Sequence, residues 1–485
     1  MSGEGVALLL VAAHALIVLV AAVVISARRT PSAAIAWILA IAFVPLLGIA
    51  WFLLVGAGRL PRRRRERQLE VNQAVLDRTP GEWEVGHREE WPEALASAVR
   101  LNRELGALPI VGGTQASLEA DYAETFRRMV ADIDAATSAV HVEFFILVLD
   151  DTTRPFIDAL GRASARGVTV RVLSDHLSGF LYPHRRATIE ALRAAGAEWH
   201  AMLPLRPFRG QWQRADLRNH RKLVTIDGRI GWTGSLNLID SSYLKPKNVR
   251  RGLHWKELMV RLEGPVVREL DAVFASDWFS ETDELLPLDE TPVTVPAAAP
   301  AELLDAQVVP SGPSFENDNN LKLFVYLLQN ARHRISITSP YFVPDESTRL
   351  AIVTAASRGV EVELFVSEIG DQVMVYHAQR SYYEELLRAG VRIHLYRPPT
   401  VLHSKHFSID DDIAVIGSSN MDIRSFSLNM EVSLLVHGRG FVDALRLVED
   451  SYRAHSRELT LQEWRARPLG GRVLDALMRL TSSLQ

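Results

Sequence analysis

The pattern H-x-K-x4-D-x6-G-S-x-N occurs twice without a gap, as His220, Lys222, Asp227, Gly234, Ser235 and Asn237 and again as His403, Lys405, Asp410, Gly417, Ser418 and Asn420. Whatever backbone presents the first copy has to be built a second time. The surroundings repeat too. Arg166-Gly167-Val168 matches Arg358-Gly359-Val360, and Ala195-Gly196 matches Ala389-Gly390 at nearly the same offset. The chain therefore contains two copies of one domain. Within each copy, β-rich apolar runs alternate with longer helical patterns. Val140 to Ile146 and Val168 to Leu173 flank a helical stretch from Thr153 to Ala165, and Ile335 to Ile337 precedes a helix and then Val360 to Phe365. This alternation predicts an α/β fold class.

The 485 residues are 48% hydrophobic and 23% charged, which excludes a disordered or collagen-like chain and suits about three domains. No cysteine is present, so thiol catalysis, thiolate metal sites and disulfides are excluded. The formal net charge of −4 argues against a nucleic-acid partner.

Hydrophobicity is concentrated at the start. Val6 to Ile25 has His14 as its one polar member, and Ala33 to Gly56 is a second long uncharged run. As helices, each reaches about 30 Å, the thickness of a bilayer's hydrocarbon core, which predicts two transmembrane helices over residues 1–60. Glu4 stands where a signal peptide carries positive charge. Arg28 and Arg29 lie between the runs, against Arg59, Arg62, Arg63, Arg64, Arg65 and Arg67 after the second. The richer side is expected to be cytoplasmic, with the large remainder on it. A polar connector over 61–108 leads to a first domain at 109–286. A Pro/Ala-rich linker at 287–300 precedes a second domain at 301–485. The C-terminal stretch from Arg472 to Leu484 places Val473, Leu474, Leu477, Met478 and Leu480 near one helical face, which suits either membrane docking or packing on its own domain.

The residue types in the repeated motif suit phosphate chemistry. The chain holds six lysines against 48 arginines, yet two of the six occupy matching motif positions. An ammonium on a flexible stem binds a phosphate oxygen as a point charge. On a strand, residues i and i+2 share a face, so each histidine and its lysine are expected to point the same way. Pairing the copies by a pseudo-two-fold brings two imidazoles and two ammonium groups around one phosphate. One imidazole can attack phosphorus while the other protonates the leaving alkoxide. The lysines, with Asn237 and Asn420, would stabilise charge on the non-bridging oxygens. This scheme needs no metal and no cofactor.

With these residues in place, the chain resembles the phospholipase D superfamily, whose hallmark is this duplicated HKD motif. It is most similar to bacterial cardiolipin synthases of the two-span type. The likeness extends through Pro31-Ser32-Ala33, Trp37, Glu143-Phe144-Phe145, Gly234 to Asp240, Glu263-Gly264-Pro265 and Pro340 to Asp345. The resemblance implies two tandem phospholipase D-like α/β/α sandwich domains behind a transmembrane hairpin. It also implies transfer of a phosphatidyl group from one phosphatidylglycerol to another through a phosphohistidine, giving cardiolipin and glycerol. Carried over, the catalytic set is His220, Lys222, Asp227, His403, Lys405 and Asp410. His220 is the candidate nucleophile and His403 the acid, an order that the symmetric motif allows to be reversed, and the two aspartates are expected to hold the motif's fold. Ser235, Asn237, Ser418 and Asn420 are expected around the substrate, with Glu257 and Glu431 as candidates for orienting the histidines.

Arg206, Arg209, Arg214, Arg218 and Arg221 surround His220, followed by Lys245, Lys247, Arg250 and Arg251 with Trp212, Tyr243 and Trp255 interspersed. This predicts a surface for anionic membrane lipids. Lys245 to Lys256 is more basic than the corresponding segment expected of the family, which leaves the acceptor alcohol open. Water as acceptor would make the same histidines a hydrolase. A nuclease conflicts with the acidic net charge, and an idle scaffold with two intact motifs. The expectation is an integral protein of a bacterial cell membrane, of open oligomeric state.

Overall fold

A computed structural model describes residues 3–27, 31–53, 66, 70, 91–106, 108–206, 214, 216–287, 303–313 and 318–482. Arg28, Arg29, Arg59, the arginines at 62–65 and 67, Arg209, Trp212, Leu484 and nearly all of the 287–300 linker lie outside them. The chain divides into two compact units, Met1–Leu60 with Arg214–Asp216, and all the remaining residues.

In the first unit, Gly3–Ser26 is one helix of 24 residues, long and apolar enough to cross a membrane. The second apolar run differs from the expected single span. It forms Pro31–Phe43 and then Pro45–Trp51, with Val44 in a non-helical conformation between them. Pro45 has no N–H to give and restricts the residue before it, so the helix stops there.

The second unit is built on one long sheet. Its strands are β1 Val111–Glu119, β2 Ala139–Phe144, β3 Thr169–Asp175, β4 Glu198–Met202, β5 Arg218–Asn219, β6 Lys222–Ile226, β7 Ile230–Gly234, β8 His254–Lys256 and β9 Met259–Glu263. They continue as β10 Leu304–Ser311, β11 Arg334–Thr338, β12 Glu361–Ser367, β13 Arg392–Tyr396, β14 Thr400–Leu402, β15 His406–Ile409, β16 Ile413–Gly417, β17 Asn429–His437 and β18 Ser456–Leu459. The order β4-β3-β2-β6-β7-β9-β1 in the first half recurs as β13-β12-β11-β15-β16-β17-β10 in the second, with β18 added at the edge. The senses recur as well: the first three strands of each series are parallel and every later pair is antiparallel. An antiparallel β1–β10 pairing joins the halves into a continuous sheet.

Alternation along the strands explains the layers. Val140, Val142 and Phe144 of β2 enter a core with Phe126, Met129 and Ile133 of helix Tyr122–Asp134 and Phe156, Ile157 and Leu160 of helix Arg154–Ala165. His141, between them, turns to the other face, where its Nδ1 meets Asp271 at 2.7 Å and its ring stacks on Phe274 of helix Val266–Thr282. In the second half Ile335 and Ile337 pack with Leu323, Phe324 and Leu327 of helix Asn319–Asn330. The repeated Arg-Gly-Val ends a helix in both halves. Gly167 and Gly359 take φ values of 90° and 91°, and Arg166 and Arg358 reach back to carbonyls at the end of the preceding helix, Ile133 and Ala136 or Gln329 and Ala331. Part of the expected polar connector belongs to this architecture: helix Glu93–Glu104 buries Leu95 and Ala98 in the second half's core, and Asn102 donates to Gln307 at 2.8 Å.

Candidate active site

Each motif begins where its half crosses into the other. β5, which precedes the first motif, pairs in parallel with the start of β17, and the His220 N–H donates to the Met430 carbonyl at 2.8 Å. β14, before the second motif, pairs in parallel with β8, and the His403 N–H donates to the Lys256 carbonyl at 2.8 Å. The residue after each of those carbonyls is a glutamate. Glu431 therefore meets His220 Nδ1 at 2.9 and 3.0 Å, and Glu257 meets His403 Nδ1 at 2.8 and 2.9 Å. Each histidine is held by a carboxylate from the opposite half.

This crossing also changes the expected strand. The histidines are not on one strand with their lysines, because the backbone at 220–221 and 403–405 leaves one ladder before the next begins. Lys222 opens β6 and its Nζ reaches back to the His220 carbonyl at 2.6 Å; Lys405 Nζ does the same to His403 at 2.7 Å and lies 3.2 Å from the imidazole nitrogens. Phe145 meets the edge of the His220 ring at 5.0 Å and the Lys222 ammonium at 5.6 Å. Tyr243 and Tyr341 each stand edge-on to His403 at 6.0 Å.

Both ammonium groups and the His403 imidazole are almost wholly buried, and the His220 side chain is 12% exposed. Burial lowers the Lys222 pKa to about 7, against the pull of Glu431, and Lys405 lowers it further; burial takes Lys405 to about 8. Burial and the two lysines bring His220 and His403 down to about 4, so both imidazoles are neutral at pH 7. Burial raises Glu257 and Glu431, but the facing histidine, the lysines and hydrogen bonds outweigh it and hold both below the usual carboxylate range. That Lys405 acts on His220 and Lys222 on His403 puts both motifs in one electrostatic site. A neutral imidazole with Nδ1–H on a carboxylate leaves the Nε2 lone pair available.

The other expected residues separate into two groups. Ser418 donates to Glu431 at 2.5 Å, and Ser235 Oγ accepts from the Leu258 N–H at 2.9 Å beside Glu257, so the serines support the orienting carboxylates. Asn237 donates to the Tyr243 hydroxyl at 2.9 Å, and that hydroxyl donates to Glu257 at 2.9 Å; Asn420 donates to Asp422 at 3.1 Å. The motif glycines make room: a Cβ on Gly234 or Gly417 would collide with the Leu258 or Val432 carbonyl, which directly follow the two glutamates. Asp227 and Asp410 are outside the site. Asp227 follows β6 and accepts from the backbone of Thr137, Ser138 and Ala139 at 2.8 to 2.9 Å, while Asp410 follows β15 and accepts from Arg332, His333 and Arg334 at 2.7 to 3.2 Å. Both take positive φ, 53° and 51°, and tie the motif's far end to the start of β2 or β11.

The expected basic surface at the first motif is largely interior. Arg218 pairs with buried Asp175 at 3.2 Å; Arg221 pairs with buried Asp277 and donates from Nε to the Glu431 carbonyl at 3.0 Å; Arg214 pairs with Asp216. Tyr243 and Trp255 are core residues beside Ile146, Val148, Leu253 and Val401. Lys247, Arg250 and Arg251 are exposed. The sequence carried no signal for Tyr243 as a ligand of Glu257, or for the Arg221–Asp277 pair.

A sheet of this order, with paired histidines, carboxylates and lysines at the crossing of its halves, defines a phosphoryl-transfer site of the phospholipase D type. A family sequence model described as "Cardiolipin synthase, PLD-like domain" matches residues 129–278 and 324–449. Cardiolipin synthase A of Pectobacterium carotovorum subsp. carotovorum (strain PC1) is 33% identical over 459 residues, covering 94% of each chain. A cardiolipin synthase of Geobacillus kaustophilus (strain HTA426) is 31% identical over 475 residues, 96% of this chain and 92% of the relative. Among solved structures, phosphatidylserine synthase of Haemophilus influenzae Rd KW20 shares the fold with a TM-score of 0.56 at 15% identity, covering 80% of this chain and 99% of that one. The chain belongs to the cardiolipin synthase family of phospholipase D-like phosphatidyltransferases.

Proposed function

We propose that this protein transfers a phosphatidyl group from one phosphatidylglycerol to the glycerol hydroxyl of another, giving cardiolipin and glycerol. The reciprocal pairing of His220 with Glu431 and His403 with Glu257 around two buried lysines carries the reading. Nε2 of one histidine attacks phosphorus, the bond from phosphorus to the headgroup oxygen breaks, and the second histidine, which takes up a proton at Nε2 as the phosphodiester anion binds beside it, gives that oxygen its proton. The second histidine then takes the proton from the incoming glycerol hydroxyl, whose oxygen displaces the first histidine from phosphorus. Lys222 and Lys405 face the charge on the non-bridging oxygens. His220 is assigned the attack and His403 the proton transfers. Asn237 and Asn420 are assigned to the substrate's surroundings, and Ser235 and Ser418 to the carboxylates.

In this reading residues 1–60 form two membrane spans, 61–108 a connector, 109–286 and 301–485 two phospholipase D-like domains related by a pseudo-two-fold, and 287–300 the linker. The repeated strand order supports the duplication. The apolar helix Gly3–Ser26 supports membrane attachment, and the arginine distribution supports a cytoplasmic catalytic unit in a bacterial cell membrane.

The test is product analysis with purified protein in phosphatidylglycerol vesicles, beside His220→Ala and His403→Ala. Cardiolipin with equimolar glycerol, absent from both variants, is expected. Phosphatidic acid in its place would make the protein a hydrolase. Two in-line steps also require retention of configuration at phosphorus, and inversion would remove the covalent intermediate.

A further inference from the structure

The C-terminal helix Leu469–Arg479 turns Met478 to the core and leaves its other apolar side chains largely outside. The face turned inward carries the buried carboxylate of Asp475, which bonds His377 Nδ1 at 2.7 Å and Arg467 at 2.6 Å, with Ser482 near Tyr382 at 3.3 Å. The opposite face presents Leu469, Val473, Leu477 and Leu480 outward at helical spacing, with Leu480 79% and Leu469 72% exposed. An amphipathic helix normally buries that stripe, and among the described residues nothing covers it. Exposed Arg472 and Arg479 flank it.

A second exposed apolar stretch lies on the helix that contacts this one. His377, which holds Asp475, is on helix Val373–Arg380, and one turn earlier that helix exposes Val373 and Met374. Two residues before Val373, Asp371 accepts from the Tyr341 hydroxyl at 3.1 Å, and Tyr341 stands against His403. The first half has the same feature at the equivalent place. After β3, as after β12, a short helix, Ser178–Leu181, exposes Phe180 and Leu181, the latter by 72%. The next residue, Tyr182, packs on Tyr243 at 6.2 Å and lies under the Lys245 ammonium at 5.3 Å. Lys247, Arg250 and Arg251 follow, all exposed.

We infer that this apolar and cationic rim seats the catalytic unit on the surface of an anionic phospholipid bilayer, with the outward stripe of the C-terminal helix in the acyl boundary. The inference rests on the reading of the substrate as a bilayer phospholipid. Apolar side chains interleaved with arginine and lysine match an interface of acyl chains under anionic headgroups. The link from this rim through Asp371 and Tyr341 to His403 sets the docked surface beside the site that takes the lipid phosphate. The rim is made of residues outside the N-terminal apolar helix and acts in addition to it.

The absence of cysteine makes the test direct. Leu477→Cys, Leu181→Cys and, as a control on the exposed side of helix Arg439–Ala454, Leu447→Cys are introduced singly into the full chain. Each is labelled with an environment-sensitive fluorophore and reconstituted in vesicles of phosphatidylglycerol and phosphatidylcholine. Met374→Cys replaces Leu181→Cys where that variant does not fold. Nitroxides on the lipid acyl chains are expected to remove about half or more of the emission at 477 and 181 and little at 447, as burial at the headgroup boundary requires. Equal, weak quenching at all three positions would overturn the inference. So would labels shielded from aqueous iodide yet insensitive to lipid nitroxides, which would assign the rim to a second copy of the chain. Phosphatidylglycerol turnover is followed in the same vesicles. Turnover without quenching refutes the docking alone, and quenching without turnover leaves the docking standing while removing the proposed substrate.

Discussion

Replacing Glu431 by glutamine tests the central contact without changing its shape. In the folded protein the carboxylate lies 2.9 and 3.0 Å from His220 Nδ1, and hydroxyls of Ser418 and Ser425 donate to it at 2.5 and 2.9 Å. Imidazole is neutral before attack and cationic after it, so the carboxylate interacts more strongly with the transition state than with the ground state. Two unit charges about 4 Å apart at an effective dielectric of about 20 attract by about 4 kcal/mol, and loss of that term slows the step about a thousandfold. Glutamine keeps one acceptor oxygen but turns an N–H toward a neighbour that also donates, which favours the tautomer with Nε2 protonated and unable to attack. The same loss follows if His220 is the proton donor, because its imidazolium then lacks a counter-charge. The assay is kcat and KM for phosphatidylglycerol, with a thermal melt to confirm folding and single-turnover trapping of the phosphohistidine. The expected pattern is a fall in kcat of about a thousandfold with KM little moved, and partial recovery in Glu431→Asp. A folded Glu431→Gln protein within about tenfold of the unsubstituted rate would refute the assignment.

Three further outcomes follow from the same geometry. In the free protein kcat/KM should fall as pH rises through 7 to 8, because Lys222 and Lys405 attract the phosphodiester only below their lowered pKa values of about 7 and about 8; a profile flat to pH 10 would contradict this. Asp227→Asn should cost roughly 2–3 kcal/mol of stability in denaturant titration, from lost hydrogen bonds to a charged acceptor, while folded protein keeps most of its kcat. Because hydrogen bonds from the 137–139 turn hold Asp227 below its ordinary pKa against the opposing effect of burial, its contribution is present above about pH 4 and lost as pH falls through the folded value. EDTA should leave turnover unchanged, since two ammonium groups meet the phosphoryl charge; chelator-sensitive turnover would reveal a required metal.

The duplication, the α/β alternation and the pairs His220–Lys222 and His403–Lys405 were legible because spacing along the chain carries them. The partners of the histidines were not, because Glu431 lies 211 residues from His220 and Glu257 lies 146 from His403. Glutamates could be nominated, but which half each one serves is a property of the β5–β17 and β8–β14 pairings. The arginines near the first motif misled for the same reason. Arg218 and Arg221 read as surface cations until Asp175 and Asp277, 43 and 56 residues away, come to neutralise them in the interior. The break in the second apolar run differs in kind. Pro45 sits in the sequence in plain view, and hydropathy summed over the run hides it.

The crossing of the halves explains why a duplicated fold keeps both copies of its motif. In neither half does a histidine meet its own glutamate; each imidazole is oriented by a residue that follows the backbone carbonyl anchoring it from across the sheet. Separating the halves would remove both orienting carboxylates and both backbone anchors at once, leaving two lysines buried beside unsupported imidazoles. The two supports are also unlike. Glu431 receives two serine hydroxyls, and its own carbonyl takes the charged Arg221–Asp277 pair's guanidinium, whereas Glu257 receives Tyr243 and Ser235, and the position matching Arg221 is Ser404, bonded to Tyr452 at 2.8 Å. The two histidines thus stand in distinct environments despite identical motif spacing, as two distinct roles in the proposed mechanism require.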